Sequence, residues 1–128
     1  LADGTNTWMV GPKTMEEHII PCFEASGNYS PEIVAGMPIV LTNNIDHAKE
    51  SIGKSLAVYG QLPSYRAMLD REGAVGPADI AIIGDENKLG GEIKRLESLG
   101  VTDFNAAIMD VEDGAYHRTL EFLGSLRP

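Results

Sequence analysis

The sequence has 128 residues, of which 43% are hydrophobic and 23% are charged, as expected of one soluble globular domain. Its formal net charge is −9 and its Lys and Arg residues are scattered, which argues against nucleic acid and anionic membranes as partners. The single cysteine, Cys22, excludes an intrachain disulfide, and its apolar helical neighbours predict a buried, unreactive thiol. We therefore expect an acidic cytoplasmic protein.

The first third of the sequence predicts strand, helix and strand in that order. A strand candidate spans residues 5–10, and a helix kinked or shortened by Pro21 follows over residues 14–25. The near-continuous apolar run over residues 32–42 indicates a parallel strand buried on both faces. A glycine and a proline interrupt this run, which predicts a bend or bulge near Met37.

The middle of the sequence predicts two helices and one ambiguous segment. Asn43 or Asn44 caps the first of these helices. The second begins at Pro63, runs through Glu72 and is closed by Gly73. The isoleucine-rich residues 77–83 are consistent with a strand or a buried helical turn, and residue propensity alone favours the strand.

The last third predicts helix, strand and helix. Asp85 caps an amphipathic helix that ends at Gly100, and residues 102–109 form the last strand. Asp113 is predicted to cap the final helix. The inward side chains of that helix are predicted to be Tyr116, Leu120, Leu123 and Leu126.

Functional residues of parallel α/β proteins gather where the strands end, and the end of the first strand offers the best candidates. Trp8 and Met9 provide an aromatic and thioether wall for a planar ring or for a substrate beside it. Gly11 permits close backbone approach of a ligand, and Lys13 supplies a positive charge. The alternative is that Trp8 only packs against a neighbouring helix. Capping explains the acidic side chain of Asp113 and solvation explains those of Asp110 and Glu112, so no metal site is predicted.

Three stretches carry a resemblance to a known family. The first joins Ala2-Asp3-Gly4 to Thr7-Trp8-Met9 and Gly11-Pro12-Lys13-Thr14, the second runs from Tyr59 to Gly73, and the third is Gly100-Val101-Thr102-Asp103-Phe104. Together they resemble the luciferase-like monooxygenase superfamily, in particular its coenzyme F420-dependent oxidoreductase branch.

For the fold, the resemblance implies an α/β protein that forms the C-terminal portion of a (β/α)8 TIM barrel. We expect residues 1–128 to supply three parallel strands with covering helices, and the N-terminal part of the barrel domain to be absent. A complete barrel of this kind takes about 250 residues. The resemblance also favours a short helix for residues 77–83, and we predict a helix there.

For function, the resemblance implies hydride transfer between a deazaflavin and a small organic substrate. Coenzyme F420 is the expected cofactor, with Trp8, Met9 and Gly11 as cofactor-binding residues and with Trp8 and Lys13 as substrate-binding residues. The catalytic residues are unknown and are expected upstream of Leu1. A segment containing Tyr59 and Tyr65 is expected either to close the pocket or to build a subunit interface.

Two alternatives remain open at this point. An FMN-dependent luciferase-like monooxygenase has the same barrel with FMN as its cofactor. In the other alternative the chain is a non-catalytic half-barrel that assembles with itself or with a partner half. We expect a homo-oligomer or a missing N-terminal half as the protein partner, and we expect the 128-residue chain to be inactive on its own.

Overall fold

A single parallel sheet organises the computed structural model, which describes residues 2–126. It contains four strands: β1 Gly4–Trp8, β2 Glu32–Leu41, β3 Ile82–Gly84 and β4 Asp103–Ile108. Strand β2 is the centre of the sheet, since each of the others pairs with it in parallel. Strands alternating with helices therefore give the parallel α/β architecture that the sequence predicts.

The register shows that the sheet is three strand positions wide. Gly36 of β2 is paired with Trp8 of β1 and with Asn105 of β4, so β1 and β4 lie on opposite edges of β2. Ile39 is paired with Ile82 of β3 and with Ile108 of β4, so β3 lies opposite β4 as well. Strands β1 and β3 thus follow one another along the same edge of β2.

The predicted helix over residues 77–83 is wrong. The sheet therefore has a fourth strand in addition to the three that were predicted. Only Pro77–Asp79 is helical, as a single 3₁₀ turn, and the chain then enters β3. Ile82 and Ile83 are 4% and 5% exposed, one on each face of the sheet. Pairing with β2 over three residues buries both isoleucines, Ile82 in the main core and Ile83 in the cluster on the opposite face of the sheet.

Five helical segments connect and follow the strands. They are α1 (Pro12–Thr14, Met15–Ile19 and Ile20–Ala25 in succession), α2 Ile45–Ser55, α3 Pro63–Glu72, α4 Glu86–Ser98 and α5 Ala115–Ser125, with a 3₁₀ turn at Ala57–Gly60. The bounds of α3 and the closing Gly73, whose φ is 74°, match the sequence prediction. Within residues 2–126, no helix combines the length and the apolar character needed to cross a bilayer.

Helix α1 passes Pro21 without breaking. Its middle section, Met15–Ile19, is a π-helical turn in which the Ile20 N–H donates to the Met15 carbonyl. The wider turn accommodates the irregularity that a proline imposes inside a helix. Cys22, predicted to be buried, is exposed on this helix, because the inward face of α1 is occupied by Met15 and by the partly buried Ile19 and Ile20.

Strand β2 shows no bulge at Met37, contrary to the prediction. Its register with β4 is unbroken along the whole pairing, Val34 with Asp103 through Ile39 with Ile108. Pro38 fits into this strand because its backbone nitrogen, which has no hydrogen to donate, faces the gap between the end of β1 and the start of β3. No ladder donor is required there, which is the condition under which a strand tolerates proline.

The two faces of β2 bury different sets of side chains. The first face forms the main core: Ile33, Ala35, Met37, Ile39 and Leu41 pack with Met15, Leu69, Leu89 and Leu96. On the other, the second face, Val40 packs with Ala48, Ile52, Ile83 and Ala115 near the carboxyl ends of the strands. Toward the amino ends, the second face carries exposed polar side chains, among them Asn6 and Asn105.

Helix α5 departs from its prediction at both its cap and its face. Gly114, at φ 82°, is the N-cap, and Asp113 makes no capping hydrogen bond. The buried side chains are Ala115 and Thr119, whereas Tyr116, Leu120 and Leu126 are 49%, 50% and 46% exposed. The Thr119 hydroxyl accepts from the Leu41 N–H at 2.9 Å and donates to the Ala115 carbonyl at 2.6 Å, and these bonds turn the small residues inward.

Candidate functional site

Trp8 lies at the carboxyl end of β1, on the second face of the sheet. It forms a row across the sheet with its register partners Gly36 and Asn105. The indole lies against Gly36, where an added Cβ would approach Trp8 Cε3 to 3.3 Å and the Thr7 carbonyl oxygen to 2.6 Å. The glycine that interrupts the apolar run of β2 therefore makes room for the indole, which is the close approach that a strand glycine signals.

Three aromatic side chains form a cluster at this strand end, which we call the aromatic cluster: Trp8, Tyr59 and Tyr65. The Trp8 and Tyr59 ring centroids are 6.2 Å apart with an interplanar angle of 67°, and those of Tyr59 and Tyr65 are 5.0 Å apart at 78°. Edge-to-face geometry of this kind is favourable for aromatic pairs. Tyr59 comes from the 3₁₀ turn and Tyr65 from α3, so the segment between β2 and β3 covers the end of β1.

The Trp8 indole N–H is buried and has no hydrogen-bond partner among residues 2–126. A buried donor without a partner costs about 1–3 kcal/mol relative to one that is bonded. An acceptor oxygen of a bound molecule would satisfy it. Trp8 is half-buried as a whole and belongs to neither core cluster, and its contact with a ligand stays a prediction.

Met9 directly follows β1 and has an unusual backbone conformation. Its φ is 57°, the left-handed region that residues with a side chain seldom adopt, and its N–H donates to the Gly36 carbonyl at 2.8 Å. The side chain is fully buried, with 0% exposed. Direct contact between Met9 and a cofactor stays a prediction, whereas the backbone turn at Met9 ends the strand directly after Trp8.

Gly11 is the N-cap of α1, Lys13 lies in its first turn, and Glu72 occupies the space beside them. The Glu72 carboxylate accepts from the Lys13 N–H at 3.3 Å and from the Thr14 N–H at 2.5 Å, and a Cβ at Gly11 would overlap it. This carboxylate satisfies free donors at the amino end of α1. The Lys13 side chain is exposed. Ligand contacts of Gly11 and Lys13 stay predictions, and the close approach at Gly11 is made by Glu72.

Arg66 holds the turn that follows α3. It donates to the Ala74 carbonyl at 2.8 Å and to the Val75 carbonyl at 2.9 Å, and it pairs with Asp70 at 2.8 Å. Its guanidinium is therefore committed to contacts within the chain. These contacts fix the end of the helix that carries Tyr65.

A polar network joins the carboxyl ends of β2 and β4, where Thr42 lies six residues beyond Gly36, the register partner of Trp8. The Thr42 hydroxyl donates to Glu112, and Arg118 donates to Asn43 Oδ1 at 2.7 Å and to Glu86 Oε1 at 3.1 Å. The pKa of Glu86 is held below its usual range by a hydrogen bond from its own backbone N–H and by Arg118. Sequence reasoning missed this network, since its members are brought together only by the sheet.

The described part of the chain offers no obvious metal centre. Among residues 2–126, no three His, Cys, Asp or Glu side chains are grouped so as to hold an ion. His18, His47 and His117 are all exposed and lie on separate helices. The candidate site is the aromatic cluster and the end of β1 on which it lies.

A solved structure supplies the comparison for this arrangement. No model of a known protein family matches the chain, and no curated protein matches it. The chain is similar to an F420-dependent secondary alcohol dehydrogenase solved in complex with an F420-acetone adduct, with a TM-score of 0.66 and 18% sequence identity. The match covers 98% of this chain and 43% of that one. The fold is therefore part of a (β/α)8 barrel, as the resemblance implies.

Proposed function

We propose that this chain is part of an F420-dependent oxidoreductase that transfers a hydride between the deazaflavin and a small organic substrate. The observation that carries the proposal is the buried, unpartnered indole N–H of Trp8 at the carboxyl end of β1. Two findings support it: the motifs around Trp8 and Tyr59 resemble that family, and the similar solved structure is an F420-dependent enzyme.

The residues present fit the cofactor in two respects. A deazaflavin has a planar ring system with carbonyl oxygens, and Trp8 offers an aromatic surface together with a hydrogen-bond donor that lacks an acceptor. Its position at the carboxyl end of a parallel strand is where barrel enzymes bind their ligands. FMN has similar ring carbonyls, so FMN is the control ligand in the experiment below.

When bound, F420 supplies the hydride chemistry, and the protein orients and tunes it. We assign Trp8 to hydrogen bonding and ring contact, and Tyr59 and Tyr65 to excluding water above it. Lys13 is the proposed charged contact for the substrate. Because the sheet fills three strand positions, we expect the 128-residue chain alone to bind F420 more weakly than micromolar and to support no turnover.

Equilibrium binding of F420 to the 128-residue chain, at ligand concentrations high enough to measure dissociation constants weaker than micromolar, tests the proposal. Trp8→Phe keeps an aromatic ring and removes the N–H, and we expect it to weaken F420 binding about fivefold, the equivalent of one hydrogen bond. Trp8→Ala also removes the ring surface and should weaken binding further. Val75→Ala, at a residue 88% exposed and outside the aromatic cluster, is the matched control and should bind like the unaltered chain.

Thermal melting of each variant separates binding from folding. If Trp8 serves only as packing, Trp8→Ala should cost about 3–5 kcal/mol of stability while F420 binding by the folded fraction is unchanged. That result, or F420 binding that Trp8→Phe leaves unaltered, would rule out the assignment. FMN binding tighter than F420 binding would favour the luciferase-like monooxygenase alternative instead.

A further inference from the structure

Asn105 lies on the same face of the sheet as Trp8 and in the same row. Both residues are register partners of Gly36, Trp8 from β1 and Asn105 from β4. Neighbouring strands are about 4.8 Å apart, so the two Cα atoms are separated by about 10 Å across a residue that has no side chain. The Trp8 ring lies against Gly36 and so reaches from β1 into this space. Asn105 therefore borders the candidate site from the opposite side.

The second face is covered at β2 and open at β4 in this part of the sheet. Gly36 and Pro38 of β2 are buried, whereas Asn105 is exposed. Ala107, the next residue of β4 on this face, is partly exposed and belongs to neither core cluster. The carboxamide of Asn105 is therefore accessible to a molecule that approaches the aromatic cluster from the side of β4.

Asparagine is an unusual residue for this position. Helices α1, α3 and α4 pack on the first face, and the helices of a barrel form its outer ring, so the second face is the inward one. Inward positions of such barrels are mostly filled by layers of Val, Ile and Leu. Asparagine is depleted in strands and contributes little apolar surface to a layer of this kind. Positions where local rules fail in this way are often functional.

We propose that Asn105 is a second binding residue for the ring of the cofactor, and that its carboxamide bonds to the polar edge of that ring. The inference rests on the proposed function. A carboxamide donates from its NH₂ group and accepts at its carbonyl oxygen. One edge of a deazaflavin carries a ring N–H beside carbonyl groups, so a single carboxamide can donate to a carbonyl and accept from the N–H. Asn105 is thus matched to that edge in both donors and acceptors.

Equilibrium binding of F420 to variants of the 128-residue chain tests this contact. Asn105→Ala removes the carboxamide and should weaken binding about five- to tenfold, the loss expected for one or two hydrogen bonds. Asn105→Asp keeps the shape of the side chain but only accepts when ionised, so it should weaken binding at least as much. Asn6→Ala is the matched control. Asn6 is also exposed on the second face, one row nearer the amino ends of the strands, and its variant should bind like the unaltered chain.

Two further measurements separate a contact from an effect on folding. Because Asn105 is exposed, Asn105→Ala should leave the midpoint of urea unfolding unchanged. In NMR spectra of the unaltered chain, the side-chain NH₂ signals of Asn105 should shift as F420 is added, whereas those of Asn6 should not. A deazaflavin methylated at its ring N–H should bind the unaltered chain more weakly than the parent ring does, and Asn105→Ala should remove most of that difference.

Two results would overturn the role of Asn105 and leave the proposed function standing. One is F420 binding that Trp8→Phe weakens and Asn105→Ala does not. The other is an equal loss of binding in Asn105→Ala and Asn6→Ala, which would mark a general effect of the polar face. If the unaltered chain binds no F420 at all, the proposed function itself fails and the contact fails with it. The two kinds of failure are therefore distinguished by the unaltered chain and Trp8→Phe.

Discussion

At the scale of single residues, the space beside Gly36 determines whether Trp8 can occupy its position. A Cβ at residue 36 would meet the Thr7 carbonyl oxygen at 2.6 Å, and backbone atoms do not move aside easily. We expect Gly36→Ala to destabilise the protein by about 1–3 kcal/mol, as measured by urea unfolding. Gly91 in α4 is the matched control, because an added Cβ there meets nothing within 4 Å.

Gly91→Ala should stabilise the chain by about 0.5–1 kcal/mol, since alanine is the better helix former. If both alanine variants behaved alike, the close approach of Gly36 to the Thr7 carbonyl and to the Trp8 ring would not be formed in solution.

The Glu72 carboxylate is a second residue with a local effect that can be measured. Glu72→Ala leaves the Lys13 and Thr14 N–H groups at the start of α1 without their acceptor. We expect a loss of about 1 kcal/mol in thermal or urea unfolding, the usual cost of a lost helix cap. Glu17→Ala, an exposed glutamate on the same helix, should change stability by much less. Equal losses in the two variants would show that Glu72 does not cap α1.

Glu86 gives a prediction that depends on pH. Its own backbone N–H and then Arg118 lower the pKa of its carboxyl, so the ionised form is favoured in the folded protein. The stabilisation is fully present above the unfolded pKa and is lost as the pH falls through the lower folded pKa. Arg118→Ala should raise the pKa of Glu86 in a carboxyl NMR titration. An unchanged titration would mean that the Arg118 contact is not formed in solution.

At the scale of elements, a buried hydroxyl sets the orientation of α5. Thr119→Val keeps the size of the side chain and leaves the buried Leu41 N–H without an acceptor. We expect a loss of about 1–3 kcal/mol of unfolding free energy. Thr119→Ser keeps the hydroxyl and should recover most of that loss. A valine variant as stable as the original would show that the Thr119 hydroxyl does not determine which face of α5 is buried.

The elements that sequence reasoning predicted well carry their own end signals. Helix α3 begins at Pro63 and is closed by Gly73, and α4 is capped by Asp85, whose carboxylate accepts from the Lys88 N–H at 2.9 Å. Strand β3 has no such signal. Its three residues become a strand only by pairing with β2, more than forty positions earlier in the chain, and local propensity indicated this better than the family resemblance did.

The candidate site shows the same division between local and distant causes. The strand candidate over residues 5–10 predicts that Trp8 lies near a strand end, and the observed strand ends at Trp8 itself. The alternation of the sheet then places Trp8 on the second face. Its contacts with Gly36 and Tyr59, and the contact of Gly11 with Glu72, join residues far apart in the chain. No spacing pattern in the sequence predicts these contacts.

At the scale of the whole molecule, the two edges of β4 should differ in amide exchange. The N–H groups of Asn105 and Ala107 point toward β2, whereas those of Phe104 and Ala106 point outward. In the chain alone we expect the outward pair to exchange much faster, as unpaired edge amides do. NMR-detected hydrogen exchange measures this directly. Equal protection along β4 would mean that its outer edge is already covered.

The position of Trp8 also gives the protein an intrinsic spectroscopic reporter. It is the only tryptophan in a sequence with four tyrosines, and Tyr59 and Tyr65 lie against it in succession. Excitation of those tyrosines should pass by energy transfer to the indole, whose emission reflects its partly buried surroundings and its unbonded N–H. Occupancy of this strand end by a ligand should therefore shift or quench that emission, and the aromatic cluster can be monitored without a label.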